Sequence, residues 1–154
     1  MNEDVRRDET PAPALEAGPP RAHVLILDDH PPSRAICAGY CDLFDHTSES
    51  VGVPREAVAA LKRAYFGAMV INVHADASDA LELIPAIRAL PGPAGRTPLI
   101  GVTAIGRGHE AQRWLAAGLA AVLPKPVTAA RLFAALGAAL DGGGLEPRSW
   151  APAR

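Results

Sequence analysis

Short apolar runs alternate with stretches of helical periodicity through the middle of the chain. The apolar runs have the length of single strands and are bounded by polar residues, glycine or proline. The predicted strands are about His23–Leu27, Thr47–Val51, Ala68–Val73, Leu99–Val102 and Ala121–Leu123. Regular alternation of this kind is typical of βαβ units, so the pattern predicts an α/β fold with a parallel sheet.

The helical stretches begin and end at recognisable residues. Pro31 and Pro54 each open one, because proline fits the first helical turn. Thr128 caps the last helix, and Gly118 closes the fourth. Pro85 lies inside the third and should kink or shorten it, because it removes one backbone hydrogen bond. The predicted helices are about Pro31–Phe44, Pro54–Ala64, a stretch from Asp79, His109–Ala117 and Ala129–Leu140.

These elements predict a three-layer sandwich, with a five-stranded parallel sheet between two layers of helices. Right-handed crossovers would bring the carboxyl ends of all strands to one edge of the sheet. A length of 154 residues is enough for one domain, which we place at residues 22–140. Residues 1–21 mix charges with prolines and predict a disordered leader, and residues 141–154 predict a flexible tail.

Composition narrows the classes of partner. The net charge is −2 without a basic block, which does not favour nucleic acid. No apolar stretch approaches the roughly 18–20 residues that span a bilayer, and the first residues lack the apolar segment of a signal peptide. We therefore expect a cytoplasmic protein that does not bind membranes. Only 5% of residues are aromatic, so alanine, leucine and valine must build most of the core.

The two cysteines, Cys37 and Cys41, lie four positions apart in a predicted helix. His46 follows nearby, but no further cysteine or histidine at zinc-finger spacing completes a metal site. We therefore expect two half-buried free thiols, as is usual in a reducing compartment.

Polar residues follow the apolar runs where the predicted strands end. Asp28 and Asp29 follow the first strand, Asn72 ends the third, and Thr103 and Lys125 follow the last two. In open parallel sheets, ligands bind beyond these carboxyl ends. Two carboxylates, a hydroxyl and an ammonium are the groups needed to hold Mg²⁺ and to move a phosphoryl group. The sequence therefore predicts that they meet at one edge.

Three stretches of sequence extend this pattern. They are Leu27–Arg34, Ile87–Pro93 with Thr97–Ile100, and Ala116–Gly118 with Leu123–Pro126. In content, order and spacing they resemble the receiver domain of bacterial two-component response regulators, especially the receivers of hybrid sensor kinases. The resemblance covers about His23 to Leu140. It implies a flavodoxin-like (CheY-like) form of the three-layer sandwich and a role in phosphorelay signalling.

The resemblance also implies a metal site. Asp28 and Asp29 match the family's acidic pair, which holds Mg²⁺ directly or through water. His74 would offer only its backbone carbonyl to the metal. No cofactor is expected in this chain, and Mg²⁺ is expected to bind weakly at most.

Three further positions match residues that handle or report the phosphoryl group. Thr103 matches the hydroxyl that contacts it, and Lys125 matches the lysine that pairs with one of its oxygens. The bond between Lys125 and Pro126 is commonly cis in the family. Val122 stands where the family usually has an aromatic side chain that swings inward when the hydroxyl moves. A valine side chain is short and can move only a small distance.

Asn72 stands where the resemblance places the phospho-accepting aspartate. An amide oxygen is a very poor nucleophile, and its adduct would not be the acyl phosphate that the family makes and hydrolyses. We therefore predict a stand-alone pseudo-receiver, not an enzyme, that acts by phosphorylation-independent contact. The predicted partners are a histidine kinase, a phosphotransferase or another response regulator. A homodimer through the fourth helix, fifth strand and fifth helix is a further prediction.

Two alternatives remain at this point. One is a conventional Mg²⁺-dependent phospho-switch, either through another aspartate or because Asn72 replaces a native aspartate. The other is a sensor that binds a nucleotide or anion in the altered acidic pocket or at the loop Gly106–Glu110.

Overall fold

Five parallel strands form the centre of the protein in a computed structural model that describes residues 21–73, 78–104 and 109–142. The strands are β1 (His23–Leu27), β2 (Thr47–Val51), β3 (Ala68–Val73), β4 (Leu99–Thr103) and β5 (Ala121–Pro124). They pair in the order β2-β1-β3-β4-β5. The chain adds β2 on one side of β1 and then crosses to add β3, β4 and β5 on the other side. The junction between β1 and β3 is therefore the switch point of the sheet.

The helices connect these strands in strict alternation. They are α1 (Pro31–Leu43), α2 (Pro54–Arg63), α3 (Ser78–Arg88), α4 (His109–Ala117) and α5 (Ala129–Gly142). This is the predicted flavodoxin-like, three-layer architecture. Within the described ranges, no helix combines the length and the apolar character needed to cross a bilayer.

Most predicted boundaries agree with the structure to within a residue or two. The Thr128 hydroxyl oxygen accepts a hydrogen bond from the Arg131 N–H at 3.2 Å, so Thr128 caps α5 as predicted. α5 ends at Gly142, two residues beyond the predicted end at Leu140.

Pro85 lies inside α3 without ending it. The side chain is exposed, and the Pro85 carbonyl still accepts a hydrogen bond from the Ala89 N–H at 3.0 Å. The sequence did not predict the short 3₁₀ helix that follows, Gly92–Arg96. The Arg88 guanidinium holds this helix by donating to the carbonyls of Gly95 and Thr97 at 3.0 and 2.8 Å.

The two faces of the sheet carry separate cores. Leu25, Met69 and Ile71 pack with residues of α2, α3 and α4, including the buried Trp114. On the opposite face, Val70 and its neighbours pack with residues of α1 and α5. Adjacent strand residues thus point to different helical layers.

The α1–α5 core contains many small side chains. Cys41 is the one buried residue that α1 contributes, and Ala135 and Ala139 are part of the α5 contribution. The prediction of two half-buried thiols is therefore wrong for Cys41, which is fully buried, and right for Cys37. The difference follows from position, because Cys41 lies one helical turn deeper along the same face of α1.

His46 joins the start of β2 to the start of β1. Its Nδ1 accepts a hydrogen bond from the Ala22 N–H at 3.0 Å, and its ring is buried. Burial lowers the pKa of His46, and the nearby Asp45 carboxylate opposes that shift. Among the described residues, no group of three His, Cys, Asp or Glu side chains is placed to hold a metal ion. The contact that the structure shows for His46 is the hydrogen bond from the Ala22 N–H.

The backbone at Gly118 makes that position sensitive to substitution. Its φ is +120°, a region that L side chains rarely adopt. We expect Gly118→Ala to lower the free energy of unfolding by about 1–2 kcal/mol. Gly39→Ala is the control, because Gly39 lies inside α1 and an added Cβ would meet nothing within 4 Å. Gly39→Ala should raise the free energy of unfolding by about 0.5–1 kcal/mol, measured by urea unfolding. A change of the same sign in both variants would contradict this account.

The buried His46 predicts a pH dependence of stability. Its folded-state pKa lies below the ordinary value of about 6.5. The unfolded chain therefore binds the proton more readily, and stability falls as the pH drops below about 6.5. Asp45→Asn removes the charge that opposes the shift, so the pKa of His46 should fall further. An NMR titration of the imidazole in both proteins measures this, and an upward shift in the variant would refute it.

Candidate functional site

Polar side chains from the ends of three strands line one cavity. Asp28 follows β1, Asn72 lies near the end of β3, and Lys125 follows β5. The cavity has a volume of about 450 Å³ and lies at the carboxyl edge of the sheet, between α1 and α5. The predicted convergence of these three residues is therefore observed. Thr103, at the end of β4, is buried but does not line the cavity.

Asp28 is held in place by three hydrogen bonds. Its Oδ1 accepts from the His30 N–H at 2.9 Å, and its backbone N–H donates to the Val51 carbonyl at 3.1 Å. Its carbonyl accepts from the Arg34 guanidinium at 2.7 Å. Asp29 differs, because it is exposed and does not line the cavity. Of the acidic pair, Asp28 is the member that lines the cavity together with Asn72 and Lys125.

Arg34 is a site residue whose role the sequence did not reveal. Its contact with the Asp28 carbonyl requires space beside the loop after β2, and Gly52 provides it. A Cβ at Gly52 would lie 2.9 Å from Nη1 of Arg34. The sequence shows that Arg34 follows the acidic pair closely, but it does not show that the guanidinium contacts the Asp28 carbonyl.

Asn72 occupies a half-buried position on β3, opposite Val102 of β4. Its side-chain oxygen is buried. Because strand residues alternate between faces, Asn72 points to the same side as Val70, toward α1 and α5. The side chain at this place is thus a neutral amide that lies in the cavity with one carboxylate and one ammonium.

Lys125 and Pro126 connect the sheet to α5. The peptide bond between them is cis, as the resemblance implies. The Lys125 N–H donates to the Thr103 carbonyl at 2.9 Å, which extends the β4–β5 pairing beyond the strand. Tyr40 of α1 donates its hydroxyl to the Val127 carbonyl at 3.2 Å, a link between α1 and this loop that the sequence did not suggest.

The remaining predicted site residues lie elsewhere. Val122 packs with the core under α2, α3 and α4, on the face opposite the cavity. His74 and most of the loop Gly106–Glu110 lie outside the described residues. Val122 is therefore placed as a core side chain, and the predicted contribution of His74 to a metal stays a prediction.

The oxygen donors can be compared with what Mg²⁺ prefers. Asp28 and Asn72 bring one carboxylate and one amide oxygen to the cavity, and Lys125 brings a positive charge. Mg²⁺ is usually held through one or two carboxylates, with several waters retained. These residues could hold Mg²⁺ weakly, with the Asp28 carboxylate as the main protein ligand.

The Cys37 thiol also lines the cavity. A hydrogen bond with Cys41, together with burial, raises the pKa of Cys37. The thiol therefore stays protonated at neutral pH, and a neutral thiol is a weak nucleophile. Cys37 contributes shape and an apolar surface to the cavity.

The chain is similar in sequence to known signalling proteins. Residues 24–137 match the response regulator receiver domain family. The chain is 31% identical over 106 residues to the sensor histidine kinase RcsC of Escherichia coli (strain K12), and 30% identical to RcsC of Salmonella typhimurium. Each alignment covers 68% of this chain and 11% of the relative. The similarity is thus limited to a small part of a much longer protein.

Solved structures show the same fold. The chemotaxis response regulator CheY4 of Vibrio cholerae superposes with a TM-score of 0.69 at 24% identity, covering 79% of this chain and 100% of that one. The receiver domain of the sensor histidine kinase PA1611 from Pseudomonas aeruginosa, solved with magnesium in its active-site cleft, gives 0.66 at 22% identity. That alignment covers 76% of this chain and 95% of the other. With the family match extending over residues 24–137, the chain belongs to the response regulator receiver domain family of two-component signalling.

Proposed function

We propose that this receiver acts without accepting a phosphoryl group, by binding another protein of a two-component pathway. The observation that carries the proposal is the amide of Asn72 in the cavity that Asp28 and Lys125 also line. Receiver domains interact with histidine kinases and phosphotransferases in phosphorelays. In this proposal the chain still binds such a protein but does not receive a phosphoryl group from it.

The chemistry of the side chain supports this reading. Transfer to a receiver requires an anionic carboxylate oxygen that attacks phosphorus and forms an acyl phosphate. The oxygen of Asn72 is neutral, and its lone pairs are delocalised into the amide. A carboxylate at this position would also add a second negative charge beside Asp28 and so attract Mg²⁺ more strongly. The amide removes both the nucleophile and part of the metal's attraction.

The opposite face of the sheet supports the same conclusion. A phospho-switch needs a side chain that moves when the site is modified. Val122, which stands at the predicted aromatic position, is packed against the core below α2, α3 and α4. Valine is stiff about χ1, and its short side chain has no second position to occupy. Phosphorylation at the cavity would therefore have little effect on α4 through Val122.

We expect the protein to form no acyl phosphate when it is incubated with acetyl phosphate and Mg²⁺, because Asn72 offers no carboxylate. Intact-mass spectrometry, before and after hydroxylamine treatment, measures this. Asn72→Asp should gain a hydroxylamine-labile adduct and bind Mg²⁺ more tightly, and Asn72→Ala serves as the unreactive control. A labile phospho-adduct on the unmodified protein would refute the proposal and favour another acceptor aspartate.

The proposed docking surface is formed by exposed apolar residues of α1 and α5. Ile36 and Leu43 of α1 are 56% and 73% exposed, and Phe133 of α5 is 42% exposed. Phe133 packs against Phe44 with a distance of 4.8 Å between ring centroids, which joins the two helices at this end. We call Ile36, Leu43 and Phe133 the α1–α5 surface. Apolar side chains that lie together and remain exposed to water are typical of a protein–protein contact.

A matched pair of variants tests this surface. Leu43 and Tyr65 are both 73% exposed, but Tyr65 follows α2 and lies off the α1–α5 surface. We expect Leu43→Glu to weaken binding to a histidine phosphotransferase or kinase dimerisation domain of the same organism by about tenfold, or about 1.4 kcal/mol. Tyr65→Glu should change the affinity little, because the added charge stays in water.

Isothermal titration calorimetry, with and without acetyl phosphate, measures both affinities. The affinity of the unmodified protein should not depend on the phosphoryl donor. Binding that appears only with the donor would contradict a phosphorylation-independent role. Equal losses in Leu43→Glu and Tyr65→Glu would place the contact elsewhere.

A further inference from the structure

A groove crosses the amino edge of the sheet, opposite to the edge that carries Asn72. Two adjoining cavities form it, with volumes of about 340 and 460 Å³. The first lies between the end of α2 and the segment after α3, and the second extends to Leu140 near the end of α5. They share Tyr65, Phe66 and Pro93 as lining residues, so we treat them together as the amino-edge groove.

The walls of this groove are open to water. Tyr65 is 73% exposed, Pro93 and Arg96 are exposed, and Leu140 is half-buried. Phe66 is buried and forms part of the floor. Proline-rich, extended segments of chain bind in grooves that aromatic side chains line. The amino-edge groove therefore has the surface that such a segment requires.

The charged residues that line the groove are all basic. They are Lys62, Arg63 and Arg96. Arg63 pairs with Glu49, whereas Lys62 and Arg96 form no ion pair with any described residue. The loops that join each helix to the next strand are described in full, at 44–46, 64–67, 89–98 and 118–120. The groove therefore offers two cations to a negatively charged segment.

The chain enters the fold beside this groove. Ala22 is fixed at the start of β1, because its N–H donates to Nδ1 of His46 and its carbonyl accepts from the Thr47 N–H, both at 3.0 Å. Gly67 lines the second cavity, and a Cβ added there would lie 2.9 Å from the Cβ of Ala22. The segment that precedes Ala22 therefore begins at the wall of the groove.

The sequence of residues 8–20 complements the groove. The acidic residues in it are Asp8, Glu9 and Glu16, it has no basic residue, and it contains four prolines. Prolines favour the polyproline II conformation, which loses little entropy when it binds. At about 3.1 Å per residue this segment would extend about 40 Å, which is longer than two adjoining cavities of these volumes.

We propose that residues 8–20 of this chain bind in the amino-edge groove, with their prolines against Tyr65 and Pro93 and their carboxylates beside Lys62 and Arg96. The covalent link at Ala22 favours this contact, because a tethered segment has an effective concentration on the order of millimolar. The groove shares no lining residue with the cavity at Asn72 or with the α1–α5 surface. The inference therefore goes beyond the proposed function and does not depend on it.

The other end of the chain suits the groove less well. Residues 143–154 follow α5, which also reaches the groove through Leu140. Their side chains comprise one glutamate and two arginines, a net charge of +1. Lys62 and Arg96 would repel this segment, whereas they attract residues 8–20.

Glu9→Gln combined with Glu16→Gln tests the proposal in the full chain. We expect docking to weaken by about threefold, because exposed ion pairs each contribute little. Nitration by tetranitromethane, located by mass spectrometry of peptides, measures how often the Tyr65 ring is uncovered. Tyr65 should react about threefold faster in this variant. Tyr40, whose hydroxyl donates to the Val127 carbonyl, is the reference within the same chain.

The control variant combines Glu3→Gln with Asp4→Asn. It removes the same charge outside residues 8–20 and should leave the nitration rate of Tyr65 unchanged. None of these substitutions alters a residue of the described fold, so both proteins should fold. Equal changes in the two double variants would overturn the proposal, and so would equal changes at Tyr65 and Tyr40.

Tyr65→Ser tests the contact from the side of the groove. The amide NMR signals of Ala12 and Leu15 should shift, because the ring against which their segment packs is lost. Leu43→Ser removes an equally exposed side chain of the α1–α5 surface and should leave those signals in place. The absence of a shift in Tyr65→Ser, or the same shift in both variants, would contradict the proposed contact.

The nitration rate of Tyr65 also identifies the occupant of the groove. A rate that does not depend on protein concentration supports binding within one chain. A rate that falls as the concentration rises would assign the groove to a second copy and overturn the proposal. Trp150→Ala should leave the rate unchanged, and faster nitration in that variant would assign the groove to residues 143–154 instead.

Discussion

The burial of a parallel sheet on both faces is the constraint on which this structure depends. Layers of helices cover the middle of the sheet, and β4 is buried along its whole length. Polar side chains are costly at such positions and are tolerated where strands end. Parallel pairing then brings the carboxyl ends together, so Asp28, Asn72 and Lys125 line one cavity although they are distant in sequence.

The alternation of strand side chains divides this edge into two environments. Asn72 lies on the same side as Val70, under α1 and α5, whereas Val122 packs into the core under the other three helices. The backbone hydrogen bond from the Lys125 N–H to the Thr103 carbonyl is a direct connection between the cavity side and the end of β4.

The sequence predicted the regular part of the fold because that part has a local signal. Apolar runs, proline at helix starts, the Thr128 cap and Gly118 each act within a few residues of their own position. The predicted convergence at the carboxyl edge followed from topology alone and holds for Asp28, Asn72 and Lys125. Asp29 is exposed and Thr103 is buried, and neither lines the cavity.

Features that depend on distant partners could not be predicted. The 3₁₀ helix after α3 depends on Arg88, whose guanidinium reaches carbonyls seven and nine positions further along the chain. The Tyr40 hydroxyl meets the Val127 carbonyl across 87 positions. A composition with 5% aromatic residues indicated a core of small side chains but not which helices would share it.

The amide of Asn72 changes the charge of the site as well as its chemistry. With an aspartate there, a second carboxylate would stand beside Asp28, and the added negative charge would favour a bound cation. With asparagine, the attraction for Mg²⁺ is weaker and there is less repulsion between like charges in the folded protein. In the proposed function, one side chain therefore accounts both for the missing nucleophile and for the weaker attraction for the metal.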